Sequence, residues 1–213
     1  MSAIAWIKTA VFLACLLPLG SLGLDAYTDN LGANPIELIT RSAGTWTLTF
    51  LLITLAVTPL RRISGWQWPI KFRRMLGLFA FFYACLHFTT YIWLDQFFDL
   101  HGIVKDVAKR PFITVGFASF VSLIPLALTS TSAMVRRLGK RWRQLHRLAY
   151  FISIGGVVHY LWLVKADMFK PLIYGAILTV LLAYRLFAAW GPRAAKALRA
   201  QVNPVVRGDQ VQN

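Results

Sequence analysis

The sequence predicts an all-α integral membrane protein, folded as a bundle of six transmembrane helices. Composition is the first observation behind this prediction: 57% of the 213 residues are hydrophobic and 15% are charged, too few charges to cover a soluble domain. Second, the uncharged residues fall into six long runs, and about 20 apolar residues cross the hydrocarbon core of a bilayer. Third, basic residues concentrate in alternate loops between these runs, as in multi-pass membrane proteins.

The first three runs differ in length. The first, 9–24, is short for a span and starts earlier if the Lys8 ammonium reaches back to the membrane surface. Its alternative is a signal peptide, because a basic residue precedes the apolar stretch and small residues follow it. The second run, 42–60, is close to a full span, and Pro59 is expected to close its helix. The third, 75–94, is long enough to span the bilayer by itself.

The last three runs complete the bundle. The fourth, 111–135, is the longest of the six. The fifth, 148–164, is near the lower limit of length for a spanning helix. The sixth, 171–184, is the shortest, and it reaches a spanning length only if Arg185 extends to the membrane surface or faces the bundle.

The chain therefore divides into one six-helix domain, 1–192, and a polar cytoplasmic tail, 193–213, which is expected to be disordered. The net charge of +15 would suggest nucleic acid binding in a soluble protein, but here the charge sorts by loop. One side of the predicted membrane carries 17 of the 23 Lys and Arg residues, and the other carries seven of the eight acids. The basic stretches are Lys8, 61–74, 136–147 and 185–207. Because loops rich in Lys and Arg stay in the cytoplasm, we expect both termini there. Because the positive charge follows this topology, we expect no nucleic acid partner.

Two of the four histidines lie inside predicted spans, where a polar ring is costly and indicates a function. His87 lies in the third helix and His159 in the fifth. The distance along the helix axis from the cytoplasmic end to the histidine is about 20 Å in both helices. Both helices run in the same direction, so the two rings reach the same depth, nearer the outer face. They can bind one haem iron from opposite sides. The alternatives are hydrogen-bonded packing histidines or a proton relay.

Small residues near these histidines either leave room for a macrocycle or allow close helix packing. They are Gly77, Ala80 and Ala84 in the third helix and Gly155 and Gly156 in the fifth. A further histidine, His146, lies at the inner start of the fifth helix. It is either a polar residue of the membrane surface or an axial ligand of a second haem. The fourth, His101, is expected to be a solvated loop residue.

Three functions are compatible with histidines inside a membrane. They are a transmembrane electron-transfer subunit, a transporter with a histidine proton relay, and a free-standing ferric or metal reductase. No Asp or Glu lies within a predicted span and we find no repeat, which disfavours the transporter. The chain has no nicotinamide-binding motif, which disfavours a free-standing reductase. An electron-transfer subunit is therefore the favoured interpretation.

Several motifs resemble one known family. They are Arg73-Arg74-Met75-Leu76-Gly77 and Tyr83-Ala84-Cys85-Leu86-His87 in the third helix, Lys109-Arg110-Pro111-Phe112-Ile113-Thr114-Val115-Gly116 at the start of the fourth, and Trp142-Arg143-Gln144-Leu145-His146-Arg147-Leu148-Ala149-Tyr150 with His159-Tyr160 in the fifth. Together they resemble the MsrQ (YedZ) family of haem-binding membrane subunits, within the ferric reductase-like transmembrane group. The resemblance covers essentially the whole chain.

The resemblance implies b-type haem, with His87, His159 and His146 as the candidate axial ligands of one haem or of two. It also implies an FMN, for which the sequence offers no recognisable site. The implied function is electron delivery across the bacterial inner membrane to a periplasmic reductase that contains a molybdopterin cofactor and repairs oxidised methionines. On this interpretation the partner reduces the sulfoxide, and quinol or a cytoplasmic flavin reductase donates the electrons.

Overall fold

The structure is a computed structural model that describes the backbone of residues 3–164 and 167–208 and the side chains of residues 4–164 and 167–190. Within these ranges every regular element is helical. The helices are α1 (Ala3–Tyr27), α2 (Pro35–Ser64), α3 (Arg73–Thr90), α4 (Leu100–Lys109), α5 (Pro111–Leu128), α6 (Ser132–Leu138), α7 (Lys140–Leu145), α8 (Leu148–Leu163) and α9 (Phe169–Gly208). A 3₁₀ turn, Trp68–Lys71, precedes α3, and a π-helical turn, Tyr91–Asp95, extends it. The predicted all-helical class is confirmed.

Five helical segments in the described chain are long and apolar enough to cross a membrane. They are Ile4–Tyr27, Pro35–Ser64, Arg73–Asp95, Pro111–Leu128 and Phe169–Trp190. The remaining predicted run forms α8, whose 16 residues extend about 24 Å. This helix is shorter than the others, but it packs along α5 and occupies the predicted place of the fifth span. The chain is a multi-pass membrane protein.

The main helices alternate in direction, as a six-span topology requires. Helices α2 and α3 are antiparallel, α5 and α8 are antiparallel, and α2 and α9 are parallel. Between α2 and α3 the contacts are Thr40–His87 and Thr54–Gly77. Between α5 and α8 they are Phe112–His159 and Ser119–Gly155. Between α2 and α9 they are Thr49–Tyr174 and Leu55–Arg185. Helix α1 runs parallel to α3, with which it shares the contacts Phe12–Phe79 and Cys15–Tyr83. Helix α1 therefore starts on the side where the spanning part of α9 ends.

Shorter helices lie between the spans. Helix α4 packs against α5 at one end of the bundle, with Ile103 buried and Leu100 and Val104 exposed. Helices α6 and α7 form the basic connection between α5 and α8 at the other end. The backbone of α9 continues as a helix to Gly208. The assignment of 193–213 to a separate, disordered cytoplasmic tail stays a prediction, and the end of that segment, 209–213, lies outside the described chain.

Pro59 does not close α2, as the sequence suggested. The helix continues to Ser64 and ends at Gly65, whose φ of 73° is the left-handed conformation that favours glycine. Pro59 has no N–H, so the carbonyl of Leu55, one turn earlier, loses its normal helical donor. Arg185 supplies the missing donor, because its Nη2 donates a 2.7 Å hydrogen bond to the Leu55 carbonyl.

Arg185 therefore faces the bundle, one of the two arrangements expected from the sequence. Its Nη1 donates a 2.6 Å hydrogen bond to the Tyr150 hydroxyl, and the guanidinium carbon lies 5.0 Å from the centre of the Tyr150 ring. These contacts tie α9 to both α2 and α8. In a membrane, where no water can satisfy a free carbonyl, the contact with Leu55 offsets the cost of Pro59.

We predict that Arg185→Gln lowers stability mainly through the orphaned Leu55 carbonyl. An unsatisfied buried acceptor costs about 1 to 3 kcal/mol. In a Pro59→Ala background the new N–H can satisfy that carbonyl, so Arg185→Gln should cost clearly less. Thermal unfolding in detergent of the wild type, both single variants and the double variant measures this coupling.

The exposed Arg62 provides a matched control, because Arg62→Gln removes a cation from the same helix as Leu55 without touching the Leu55 carbonyl. It should leave the unfolding temperature unchanged in both backgrounds. Equal effects of Arg185→Gln with and without Pro59 would show that the Leu55 contact is not the source of the stability.

Candidate functional site

The structure brings His87 and His159 together, as their matched depth predicted. Their ring centres lie 6.2 Å apart, and the ring planes meet at 76°. His87 comes from α3 and His159 from α8. Both side chains line one cavity between α2, α3, α5 and α8.

Each of the two rings is oriented by a backbone carbonyl. Nδ1 of His87 lies 2.8 Å from the carbonyl oxygen of Thr40, and Nδ1 of His159 lies 2.7 Å from that of Phe112. A carbonyl can only accept, so Nδ1 carries the proton in both rings. Nε2 is then the unprotonated nitrogen, which is the form that binds a metal.

A glycine makes each of these hydrogen bonds possible. In an α-helix side chains lean towards the N-terminus, so the side chain of residue i+4 covers the carbonyl of residue i. Gly44 stands four residues after Thr40, and Gly116 four residues after Phe112. A Cβ at Gly44 would lie 3.0 Å from the His87 ring, and one at Gly116 would lie 2.8 Å from Nδ1 of His159. Glycine therefore leaves both carbonyls open to a ring.

The carbonyl, glycine and histidine form the same arrangement twice. In each set the histidine follows its carbonyl acceptor by 47 positions, and the glycine follows that acceptor by one helical turn. Thr40 thus corresponds to Phe112, Gly44 to Gly116 and His87 to His159. The number of positions between the two members of each pair is the same. No repeat was apparent from the sequence, and neither glycine was predicted to be a site residue. The shared spacing between acceptor and histidine was the signal available.

The cavity that the histidines line has a volume of about 550 Å³. Its wall around the rings is mostly apolar, and its rim at the α4 end carries charged side chains. Of the small residues singled out in the sequence, Ala84 and Gly156 line the cavity. The others serve packing: Gly155 lies against Ser119, Gly77 faces Thr54, and Ala80 is fully buried.

The residues present fit a haem. Metal–imidazole bonds of about 2.0 to 2.1 Å, with about 1.1 Å from nitrogen to ring centre, place two opposed imidazole centres roughly 6.3 Å apart. The distance between the His87 and His159 ring centres is 6.2 Å. No group of three or more His, Cys, Asp or Glu in the described residues could hold a metal ion. Two imidazoles suit a haem, because its macrocycle would supply the other four ligands of the iron.

His146 lies apart from this pair and is not among the described residues that line the cavity. Its ring stacks on Trp142 with 3.9 Å between centres, and its Nδ1 lies 3.1 Å from the Trp142 carbonyl. Burial lowers the pKa of His146, and the Arg73 guanidinium acts in the same direction. A role as ligand of a second haem stays a prediction. His101 is exposed, as expected, although it lies on α4.

Comparison with known proteins gives consistent matches. The family described as ferric reductase like transmembrane component matches residues 43–157, more than half of the chain. A relative from Herminiimonas arsenicoxydans is 61% identical over 191 residues, 88% of each chain. One from Azospira oryzae is 52% identical over 205 residues, 94% of this chain and 88% of its own. One from Rhodospirillum rubrum is 56% identical over 183 residues, 85% of this chain and 88% of its own. All three are named protein-methionine-sulfoxide reductase heme-binding subunit MsrQ. No solved structure matches the chain.

We predict that Gly44→Ala and Gly116→Ala each weaken haem binding, because the new methyl group displaces a ring from its carbonyl. Loss of the contact that orients a metal ligand typically costs about 10- to 100-fold in affinity. Titration of the purified, haem-depleted protein with haem, followed by its visible spectrum, measures this loss.

The matched control is Gly23→Ala in α1, where an added Cβ meets nothing within 4 Å. It should bind haem as the wild type does. Wild-type affinity and spectrum in both Gly44→Ala and Gly116→Ala would refute the role assigned to the two carbonyls.

Proposed function

The chain belongs to the MsrQ family of ferric reductase-like transmembrane proteins, and we propose that it carries electrons through haem b to a periplasmic methionine sulfoxide reductase. It is a haem-binding membrane subunit of the methionine sulfoxide reductase system. The observation that carries the proposal is the pair His87 and His159, which line a cavity between four helices. Backbone carbonyls hold Nδ1 of both rings, which leaves Nε2 as the nitrogen for a metal.

When bound, the haem supplies a reversible one-electron carrier, which no amino-acid side chain of this cavity provides. His87 and His159 would hold its iron from α3 and α8. The hydrogen bonds to Thr40 and Phe112 fix the rings and make the imidazoles stronger donors. The apolar wall limits the access of water, which tunes the potential. We propose one haem at this pair, with His146 as a candidate ligand of a second.

We further propose that the protein lies in the bacterial inner membrane with both termini in the cytoplasm. Helix α1 starts on the side where the spanning part of α9 ends, which supports an even number of spans. The concentration of Lys and Arg in the loops on one side supports a cytoplasmic location for them. The charged rim of the cavity belongs to the opposite end of the bundle, together with α4. A periplasmic partner could therefore approach the haem from that end.

The partner in this proposal is a soluble catalytic subunit with a molybdopterin cofactor, which performs the sulfoxide reduction itself. The relatives' names support a reductase of protein methionine sulfoxide as the acceptor. Quinol or a cytoplasmic flavin reductase would donate the electrons. FMN is a further cofactor that the family implies, and no residue of this chain is assigned to it.

The direct test starts with the purified protein, its haem chemically reduced under anaerobic conditions. We predict that the haem reoxidises rapidly when the purified catalytic subunit and a methionine sulfoxide are both added, and not with either alone. Stopped-flow absorbance of the reduced haem band measures the rate. His87→Ala and His159→Ala should lose the haem band, and His146→Ala should lose part of it.

The control variant is His101→Ala, which removes an exposed histidine at the same end of the bundle and should behave as the wild type. If the catalytic subunit leaves the reduced haem unchanged while ferric chelates oxidise it, the chain is a free-standing metal reductase instead. A wild-type protein that binds no haem would contradict the proposal altogether and favour a transporter with a histidine relay.

A further inference from the structure

The lining of the haem cavity includes two half-exposed arginines, which come from different helices. Arg41 lies on α2 directly after Thr40, and Arg110 lies two residues before Phe112, where α5 begins. Both line the cavity, and among its described lining residues they are the only Lys or Arg side chains. Each arginine is therefore close in sequence to one of the carbonyls that orient the histidine rings.

Each guanidinium forms an ion pair with one carboxylate. Arg41 Nη2 forms a 2.6 Å ion pair with Glu37, and Arg110 Nε forms a 3.3 Å ion pair with Asp106. The side chains of Arg41 and Arg110 are 50% and 56% exposed. A guanidinium has five N–H donors in a planar fork, so each arginine keeps donors for a second carboxylate.

The two acidic partners do not depend on the arginines alone. Glu37 also accepts a 2.9 Å hydrogen bond from the Asn34 side chain. Asp106 also accepts longer hydrogen bonds from the Tyr91 hydroxyl, at 3.5 Å, and from Gln96, at 3.4 Å. Each arginine can therefore share its charge with another anion without leaving a carboxylate unsatisfied.

A haem b brings two carboxylates into this cavity, because its two propionates leave the same edge of the macrocycle. A carboxylate placed against the apolar wall would be costly, whereas one at the rim can meet a cation. We propose that Arg41 and Arg110 bind the two haem propionates and set the carboxylate edge of the haem at the rim near α4. This inference rests on the haem site proposed above.

The arrangement gives the rim a role in electron transfer as well as in binding. It places one edge of the haem at the end of the bundle where a periplasmic partner would dock. The positive charges also favour the reduced haem, which carries one positive charge less at the iron than the oxidised form. Removal of either arginine should therefore lower the midpoint potential as well as the affinity.

The test compares haem b with haem b dimethyl ester, in which both propionates are neutral. The purified, haem-depleted protein is titrated with each compound, for the wild type, Arg41→Gln, Arg110→Gln and the double variant. The wild type should prefer haem b over the ester. Each single variant should lose about fivefold to tenfold in affinity for haem b, because one charge-assisted hydrogen bond at a half-exposed site is lost. Its affinity for the ester should stay the same.

Retained binding of the ester shows that a variant is folded and that its histidine pair is intact. Lys109→Gln is the matched control, because it removes an exposed cation beside Arg110 that is not among the lining residues. It should keep the wild-type preference for haem b and the wild-type potential. A preference for haem b that survives in the double variant, or equal binding of both compounds by the wild type, would overturn the inference. A wild type that binds neither compound would refute the haem site itself.

Discussion

The hydrogen bond between an imidazole Nδ1–H and a helix carbonyl is the contact on which the candidate site depends. It occurs twice, at 2.8 Å for His87 and at 2.7 Å for His159. Inside a membrane a polar ring must find a partner in the protein, and these rings find one in the main chain of a neighbouring helix. Because the bond uses Nδ1, it fixes the tautomer, the orientation of the ring and the position of Nε2 together. The glycines Gly44 and Gly116 follow from this requirement, since a Cβ would close the approach to the carbonyl.

The same constraint explains an intramembrane cation that the electron-transfer function does not need. An arginine within a span usually indicates a functional site, but Arg185 satisfies the Leu55 carbonyl that Pro59 deprives of its helical donor. Main-chain carbonyls of α2 and α5 thus accept hydrogen bonds from His87, His159 and Arg185 on other helices. The two histidines are candidate metal ligands, whereas the arginine is a structural side chain.

The sequence allowed the helical class, the place of five spanning helices and the meeting of His87 with His159 to be predicted. The fifth run forms the shorter helix α8, and the fourth run, 111–135, extends beyond the end of α5 at Leu128. These predictions rest on residue counts. The length of an uncharged run indicates a membrane-spanning helix, and the number of residues from the charged end of that helix indicates the depth of a side chain in the membrane. Two features could not be obtained in this way. The role of Gly44 depends on which face of α2 is turned towards α3, and the length of an uncharged run does not specify that face. The continuation of α2 through Pro59 depends on a donor that lies far away in the chain, on α9, which no local pattern reveals.

The measurement that tests the central claim most directly is electron paramagnetic resonance of the ferric, haem-loaded protein. Ligation by His87 and His159 predicts a low-spin signal from two axial nitrogens. The 76° angle between the ring planes predicts a more anisotropic signal than parallel rings produce. Selective ¹⁵N labelling of histidine should alter the nitrogen couplings of that signal. A high-spin, five-coordinate signal, or a low-spin signal that persists unchanged when both histidines are replaced, would contradict the account.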